Sequence, residues 1–205
     1  KFSEELTVPG PRLPITRDAQ LFCRAVEHGR RLIWLHTFGE RFVPAGQRRG
    51  AVLQGRARCL RGVPTTPDDY PTEFSHESTP QRMRVGAGEF SPVPDAVWQF
   101  SVSGLSVLQS WLNYRMKGGA GRQTSPLDKI RPQQWTAAMT QELLELIWVL
   151  EATVETFPLL EETFNRVLET ETFRAIEFPQ PTDEERRPPT EQEDEETTQI
   201  ELPEM

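Results

Sequence analysis

The chain is poor in the residues that build metal and redox sites: it has two cysteines, Cys23 and Cys59, and three histidines, His28, His36 and His76. Two cysteines exclude a disulfide framework and any multi-cysteine metal centre. None of the histidines stands at ligand spacing from a cysteine. Cys23, on an apolar stretch, reads as a small core residue. Long hydrophobic runs are missing as well, which argues against a membrane-spanning helix or a secretory segment and leads us to expect a cytoplasmic protein. Walker lysines are absent, and Gly118-Gly119-Ala120-Gly121 follows a helical pattern rather than a strand, so neither nucleotide fingerprint applies. Nothing marks a nucleophile with a base at hand. No catalytic motif is found.

What is present suits a globular core: 205 residues, 36% of them hydrophobic and 26% charged. That is the size of one domain, or slightly more. The chain opens on Lys1 and Phe2-Ser3-Glu4-Glu5-Leu6, which reads as the middle of a helix; an excerpt of a longer protein is expected. The net charge of −8 hides a division. Residues 151–205 hold 17 acids and 4 bases, whereas residues 1–150 hold 14 acids and 19 bases. Within that basic part, residues 41–67 carry six arginines (Arg41, Arg48, Arg49, Arg56, Arg58, Arg61) and no acid. Such a stretch is compatible with phosphate neutralisation, although charge alone favours the plainer reading of a solvated loop.

Periodicity organises the rest. Thr16 or Asp18 can cap a helix with an apolar stripe of Leu21, Phe22, Ala25, Val26, Leu32 and Ile33. Residues 44–80 read as loops around short strands, with weak strand character at Ala51-Val52-Leu53. Gln81 to Val85 alternates and Gly86-Ala87-Gly88 makes a turn. Trp98, Phe100 and Val102 predict a half-buried strand, after which Ser103 can cap a helix bearing Val107, Leu108, Trp111 and Leu112 and ended by Gly118-Gly119. A further helix is predicted from about Thr140, broken at Pro158, and a last one follows with Leu160, Phe164, Val167 and Leu168. The expected fold is α+β: a small antiparallel sheet packed with several helices, and a helix-rich C-terminal part. We place one domain over residues 1–178. Residues 179–205, with five prolines and ten acids, read as a disordered acidic tail.

One segment stands out chemically. From Trp111 to Ser125 it carries Arg115, Lys117 and Arg122 and no acid. Flexible glycines, bases, hydroxyls and the Gln123 amide suit a loop that approaches phosphates and base edges. A helix C-cap with ordinary surface bases fits the same residues.

Val102-Ser103-Gly104, Val107, Trp111, Tyr114-Arg115, the Gly/Arg-rich loop and Ser125-Pro126-Leu127-Asp128 resemble the C-terminal specificity domain of type ISP restriction–modification enzymes. Pro11-Arg12-Leu13-Pro14-Ile15, Gly29-Arg30, Leu35-His36-Thr37-Phe38-Gly39-Glu40, Trp135, Thr140 and Glu142-Leu143-Leu144 extend the resemblance over about residues 1–170. It implies a domain that reads a short sequence in double-stranded DNA, joined to an adenine-specific methyltransferase that uses S-adenosylmethionine and an Asn/Asp-Pro-Pro-Tyr type motif. The two asparagines here, Asn113 and Asn165, do not precede a proline. The catalytic part and its cofactor are therefore expected elsewhere in the parent protein.

The DNA-binding candidates are Arg48, Arg49, Arg56, Arg58, Arg115, Lys117, Arg122 and Gln123, with Ser125 as a phosphate contact. Trp111 is expected in the core. Arg115 shares a helix face with Trp111 and Leu112 and can instead pack its stem there and pair with an acid. The competing functional reading is a non-catalytic docking module, whose Glu-rich surface over residues 151–177 would repel DNA. Arginines gathered on one face favour DNA; scattered arginines favour docking. Deleting residues 179–205 is expected to leave the melting temperature nearly unchanged, measured by scanning calorimetry, because the segment has too little apolar surface to pack.

Overall fold

A computed structural model describes residues 14–116, 134–174 and 182–183. The chain divides into two compact units, Gly50–Glu155 and the pair of segments Lys1–Arg49 and Thr156–Met205. Among the described residues there are four helices, a four-stranded antiparallel sheet and a two-stranded one, the expected α+β mixture.

The larger sheet has strands β1 (Arg58–Arg61), β2 (Phe74–Glu77), β3 (Arg82–Val85) and β4 (Gly88–Ser91), in the spatial order β1-β4-β3-β2. The alternation over Gln81 to Val85 is visible in β3, where Met83 and Val85 are fully buried and Arg84 is exposed. Val85 faces Gly88 across a two-residue turn. Gly86 holds a φ of +53° at the first turn position, where a hairpin turn of type II′ takes glycine.

After β4 the structure departs from the predicted strand over Trp98–Val102. Asp95–Trp98 is instead a short helix, α2, and the strand is reduced to β5 (Ser101–Val102), paired with β6 (Leu105–Ser106). Ser103 caps nothing. It sits with Gly104 in the turn between β5 and β6 at a φ of 50°, and Ser106 takes the N-cap position of α3 (Val107–Asn113). The alternation was real, but Trp98 and Phe100 pack on the core from a helical turn and a bend. No strand forms over Ala51-Val52-Leu53.

The core of the Gly50–Glu155 unit joins Met83, Val85 and Phe90 from the sheet to Leu108 and Leu112 of α3, to Trp135, and to Leu143, Ile147 and Leu150 of α4 (Ala137–Glu169). Trp135 is fully buried, donates from Nε1 to the Thr140 hydroxyl at 2.8 Å, and meets Trp111 edge to face at 6.1 Å. Thr140 therefore does not start the helix. Thr136 caps it, its hydroxyl accepting from the Met139 amide at 3.1 Å. His76 is pinned by donation from Nε2 to the Val93 carbonyl at 2.8 Å and stacks on Trp98.

In the other unit, α1 (Ala19–His36) is capped by Asp18, whose carboxylate accepts from the Leu21 amide at 3.0 Å. The predicted stripe is displaced. Leu21, Trp34 and Leu35 are buried, while Phe22 and Ile33 are exposed. Leu21 and Leu35 lie about 40° apart on the helical wheel, with Trp34 on another side, so the covered positions extend away from Phe22 and Ile33 instead of along the predicted stripe. Ahead of α1, Thr16 bridges to Thr172, the Phe173 amide donates to the Ile15 carbonyl, and the Arg17 guanidinium lies 4.4 Å over the Phe173 ring.

Pro158 does not divide the C-terminal region into two helices. It lies inside the single 33-residue α4. Phe157, Pro158 and Leu159 are all exposed, and Thr156, Thr163 and Val167 hold the buried side. The ring thus falls where its clash and its missing donor cost least. The expected Gly118-Gly119 stop and most of the tail lie outside the described residues, as α3 already ends at Asn113. Pro158→Ala is expected to raise stability by ~1–3 kcal/mol, read as a higher melting temperature; a lower one would show that the proline relieves strain in α4.

Candidate nucleic-acid interface

β1 begins with a grip by α4. Glu151, 3% exposed, accepts at Oε2 from the Arg56 amide at 2.9 Å and the Ala57 amide at 3.5 Å. Trp148 donates from Nε1 to the Ala57 carbonyl at 2.9 Å. The backbone can approach this closely because residue 55 is glycine: a Cβ there would stand 2.2 Å from Glu151 Oε2 and 2.7 Å from the Trp148 ring. Residues 55–57 are thereby fixed, and Arg58 enters β1 at a set position.

From there the pleat decides which side chains face outward. Met83, Val85 and Phe90 are buried and Cys59 packs partly against them; burial holds the Cys59 thiol above its ordinary pKa. The opposite face receives Arg58, Arg61, Arg82 and Arg84. Register sets Arg61 opposite Glu89 and Glu89 opposite Arg84, with a bulge between Cys59 and Arg61. Arg82 pairs with Glu89 at 3.2 Å and Arg84 with Glu77 at 3.4 Å. Four arginines against two glutamates leave this sheet face net positive. The sequence reading missed Arg61, Arg82 and Arg84 as candidates, although the alternation Arg82-Met83-Arg84-Val85 already set both arginines on the face away from the core.

The predicted residues fall into distinct settings. Arg58 is exposed, and its Nη1 donates to the Gly55 and Ala57 carbonyls. Arg56 is 64% exposed but lies between two carboxylates, Glu151 at 3.8 Å and Glu155 at 3.4 Å. Arg48 and Arg49 belong to the other unit, exposed in the stretch after α1, and Arg49 pairs with Glu40 at 2.9 Å. Arg115 follows its alternative reading. Its guanidinium stacks 3.7 Å over Trp111, pairs with Glu142 at 3.5 Å and donates to the Trp111 carbonyl, while Tyr70 donates its hydroxyl to the Arg115 carbonyl. Trp111 packs against the core, as expected, and Tyr114 is 77% exposed. Lys117, Arg122, Gln123 and Ser125 lie outside the described residues.

Among the described residues no group of three or more His, Cys, Asp or Glu could hold a metal ion, and no helix is long and apolar enough to cross a membrane. The family model of the Type ISP C-terminal specificity domain matches residues 1–146, and the chain belongs to that family. Among solved structures it is similar to a nuclease-deletion mutant of the Type ISP restriction–modification enzyme LlaGI in complex with a DNA substrate mimic. The identity is 18% and the TM-score 0.48, over 79% of this chain and 12% of that one. None of the curated proteins matches.

Burial without full pairing has a thermodynamic signature at Glu151. Desolvation, the largest influence, outweighs the amide donors and Arg56 and holds its carboxyl above the usual range. The folded state therefore holds this proton more tightly than the unfolded chain does. The contribution is fully favourable below the ordinary carboxylate pKa and is lost as pH rises through the raised value. Glu151→Gln keeps an acceptor for both amides and should gain on the wild type as pH climbs from about 4 to neutrality. Glu151→Ala strands two amides and should cost about 2 kcal/mol or more. Chemical denaturation at several pH values checks both.

Proposed function

We propose that this chain is the DNA target-recognition part of a type ISP restriction–modification protein, non-catalytic in itself. The observation that carries the reading is the outward face of the β1–β4 sheet, where Arg58, Arg61, Arg82 and Arg84 gather on one rigid surface of a chain that belongs to a specificity-domain family. Arginine presents a planar fork of donors that matches phosphate oxygens or the O6/N7 edge of guanine. The ion pairs to Glu77 and Glu89 do not oppose this role. The Arg84–Glu77 pair is exposed and such pairs are worth about 0–1 kcal/mol, so a phosphate can replace that carboxylate at little cost, whereas Arg82 and Glu89 are more covered and stay paired.

In this reading the partner within the same protein is an adenine-specific methyltransferase, which holds S-adenosylmethionine; no cofactor belongs to this chain. The protein works in the cytoplasm on double-stranded DNA. Arg48, Arg49, Arg56, Lys117, Arg122, Gln123 and Ser125 remain candidates for phosphate and base contacts alongside the sheet. Arg115, stacked and paired inside its own unit, is assigned to stability.

The test is the salt dependence of binding to a labelled mixed-sequence duplex, followed by fluorescence anisotropy. Arg58→Ala, Arg61→Ala and Arg84→Ala should each lower the slope of log K against log salt by about one. Arg115→Ala should leave the slope unchanged while lowering thermal stability by about 1 kcal/mol. Unchanged slopes in all three sheet variants would remove this face from the interface.

A further inference from the structure

The turn after α1 holds two phenylalanines in a conformation that phenylalanine disfavours. Phe38 has a φ of 52° and Phe42 a φ of 51°. A bulky side chain in the left-handed region is strained, and such strain persists only where surrounding structure enforces it. Around Phe38 the enforcement is dense. The Thr37 hydroxyl donates to the Ile33 carbonyl at 2.8 Å and accepts from the Arg41 amide at 3.0 Å. The Phe38 amide donates to Leu35, the buried Gly39 amide to Trp34 and the Glu40 amide to Thr37. Burial does not explain the phenylalanines, since Phe38 is 39% and Phe42 36% exposed. The turn holds both rings partly out in solvent.

The stretch that carries both rings is rich in arginine, and one guanidinium reaches Phe42. The Arg30 guanidinium lies 5.5 Å from the centroid of the Phe42 ring. Arg31, Arg41 and Arg48 are exposed on the same stretch, and its one acid, Glu40, is already paired with Arg49. A surface that displays aromatic rings among arginines complements neither a lipid core nor an acidic peptide as well as it does nucleic acid, whose bases offer stacking faces and whose phosphates offer negative charge.

We propose that Phe38 and Phe42 form an aromatic wedge that enters duplex DNA and stacks against bases while Arg30, Arg41 and Arg48 hold the flanking phosphates. The inference rests on the DNA-recognition reading and adds to it a contact made by apolar rings rather than by hydrogen-bonding side chains. A wedge of this kind partly unstacks a base step, so its effect on DNA is separable from that of phosphate contacts.

The experiment uses the full chain and a mixed-sequence duplex carrying a fluorescent adenine analogue at internal positions. Asparagine tolerates the left-handed region, so Phe38→Asn and Phe42→Asn keep the backbone and remove the rings. Both variants should melt no lower than the wild type. Phe38→Asn should weaken duplex binding about tenfold or more and abolish the rise in analogue fluorescence that the wild type produces, whereas Phe38→Trp should keep both. Wild-type affinity and fluorescence in the asparagine variants, with the salt slope still lowered by Arg58→Ala, would overturn the wedge and leave the DNA reading standing. A marked fall in melting temperature would assign the rings to packing and overturn it too. A wild-type chain that binds no duplex overturns both readings.

Discussion

The contact on which the arginine-bearing face depends is the grip of α4 on residues 55–57. Glu151 and Trp148, one helical turn of side chains, take hold of the backbone of Arg56 and Ala57 through two amides and one carbonyl. The grip needs a glycine at 55, because any Cβ would overlap the carboxylate. It also brings a carboxyl group into the interior, where its charge is costly. Stability is spent on fixing the start of β1, and what β1 carries is exposed arginine. The buried acid is thus a positioning device for cations on the opposite side of the sheet.

That arrangement explains how an acidic chain can present a basic surface. The excess of acids lies after residue 150, and residues 146–150 of α4 are apolar on every side. Glu151 marks the point at which the helix passes from a buried segment to one bearing exposed carboxylates such as Glu155, Glu161 and Glu162. Charge averaged over the chain says nothing about this. Charge divided by element does.

How much of this was legible in the sequence follows from which signal each element carries. The α+β class, the β3–β4 hairpin and the cap at Asp18 rest on local signals: alternation, a Gly-Ala-Gly turn and a side chain that reaches the next amides. Those were readable. The misreadings arose where tertiary context overrode local rules. Pro158 reads as a helix breaker, yet exposed neighbours and a buried threonine side let α4 continue through it. Trp98, Phe100 and Val102 alternate like a strand because the first two pack on the core, but a helical turn and a bend deliver them there. The Ala51-Val52-Leu53 run has strand-forming residues and no partner strand to pair with. The family resemblance was legible because its motifs recur in order. The sheet face was only half legible, since β pairing between residues 30 apart has no local trace.

Arginine identity, finally, does not sort function, and burial with partner does. Arg115 and Arg84 each pair with a glutamate at about 3.5 Å. Arg115 is 28% exposed and covers an indole, so withdrawing it uncovers Trp111 beside the core. Arg84 is 47% exposed, so its glutamate can be exchanged for a phosphate with less change in packing. Among the described residues Arg58 pairs with no carboxylate; its guanidinium is steered by two carbonyls of the segment that α4 holds. A carbonyl orients an arginine without neutralising it. Arg58 therefore keeps its full charge in a fixed direction, which is the electrostatic form a phosphate or guanine contact requires, and its direction is set by Gly55 and Ala57, within the segment that Glu151 and Trp148 grip.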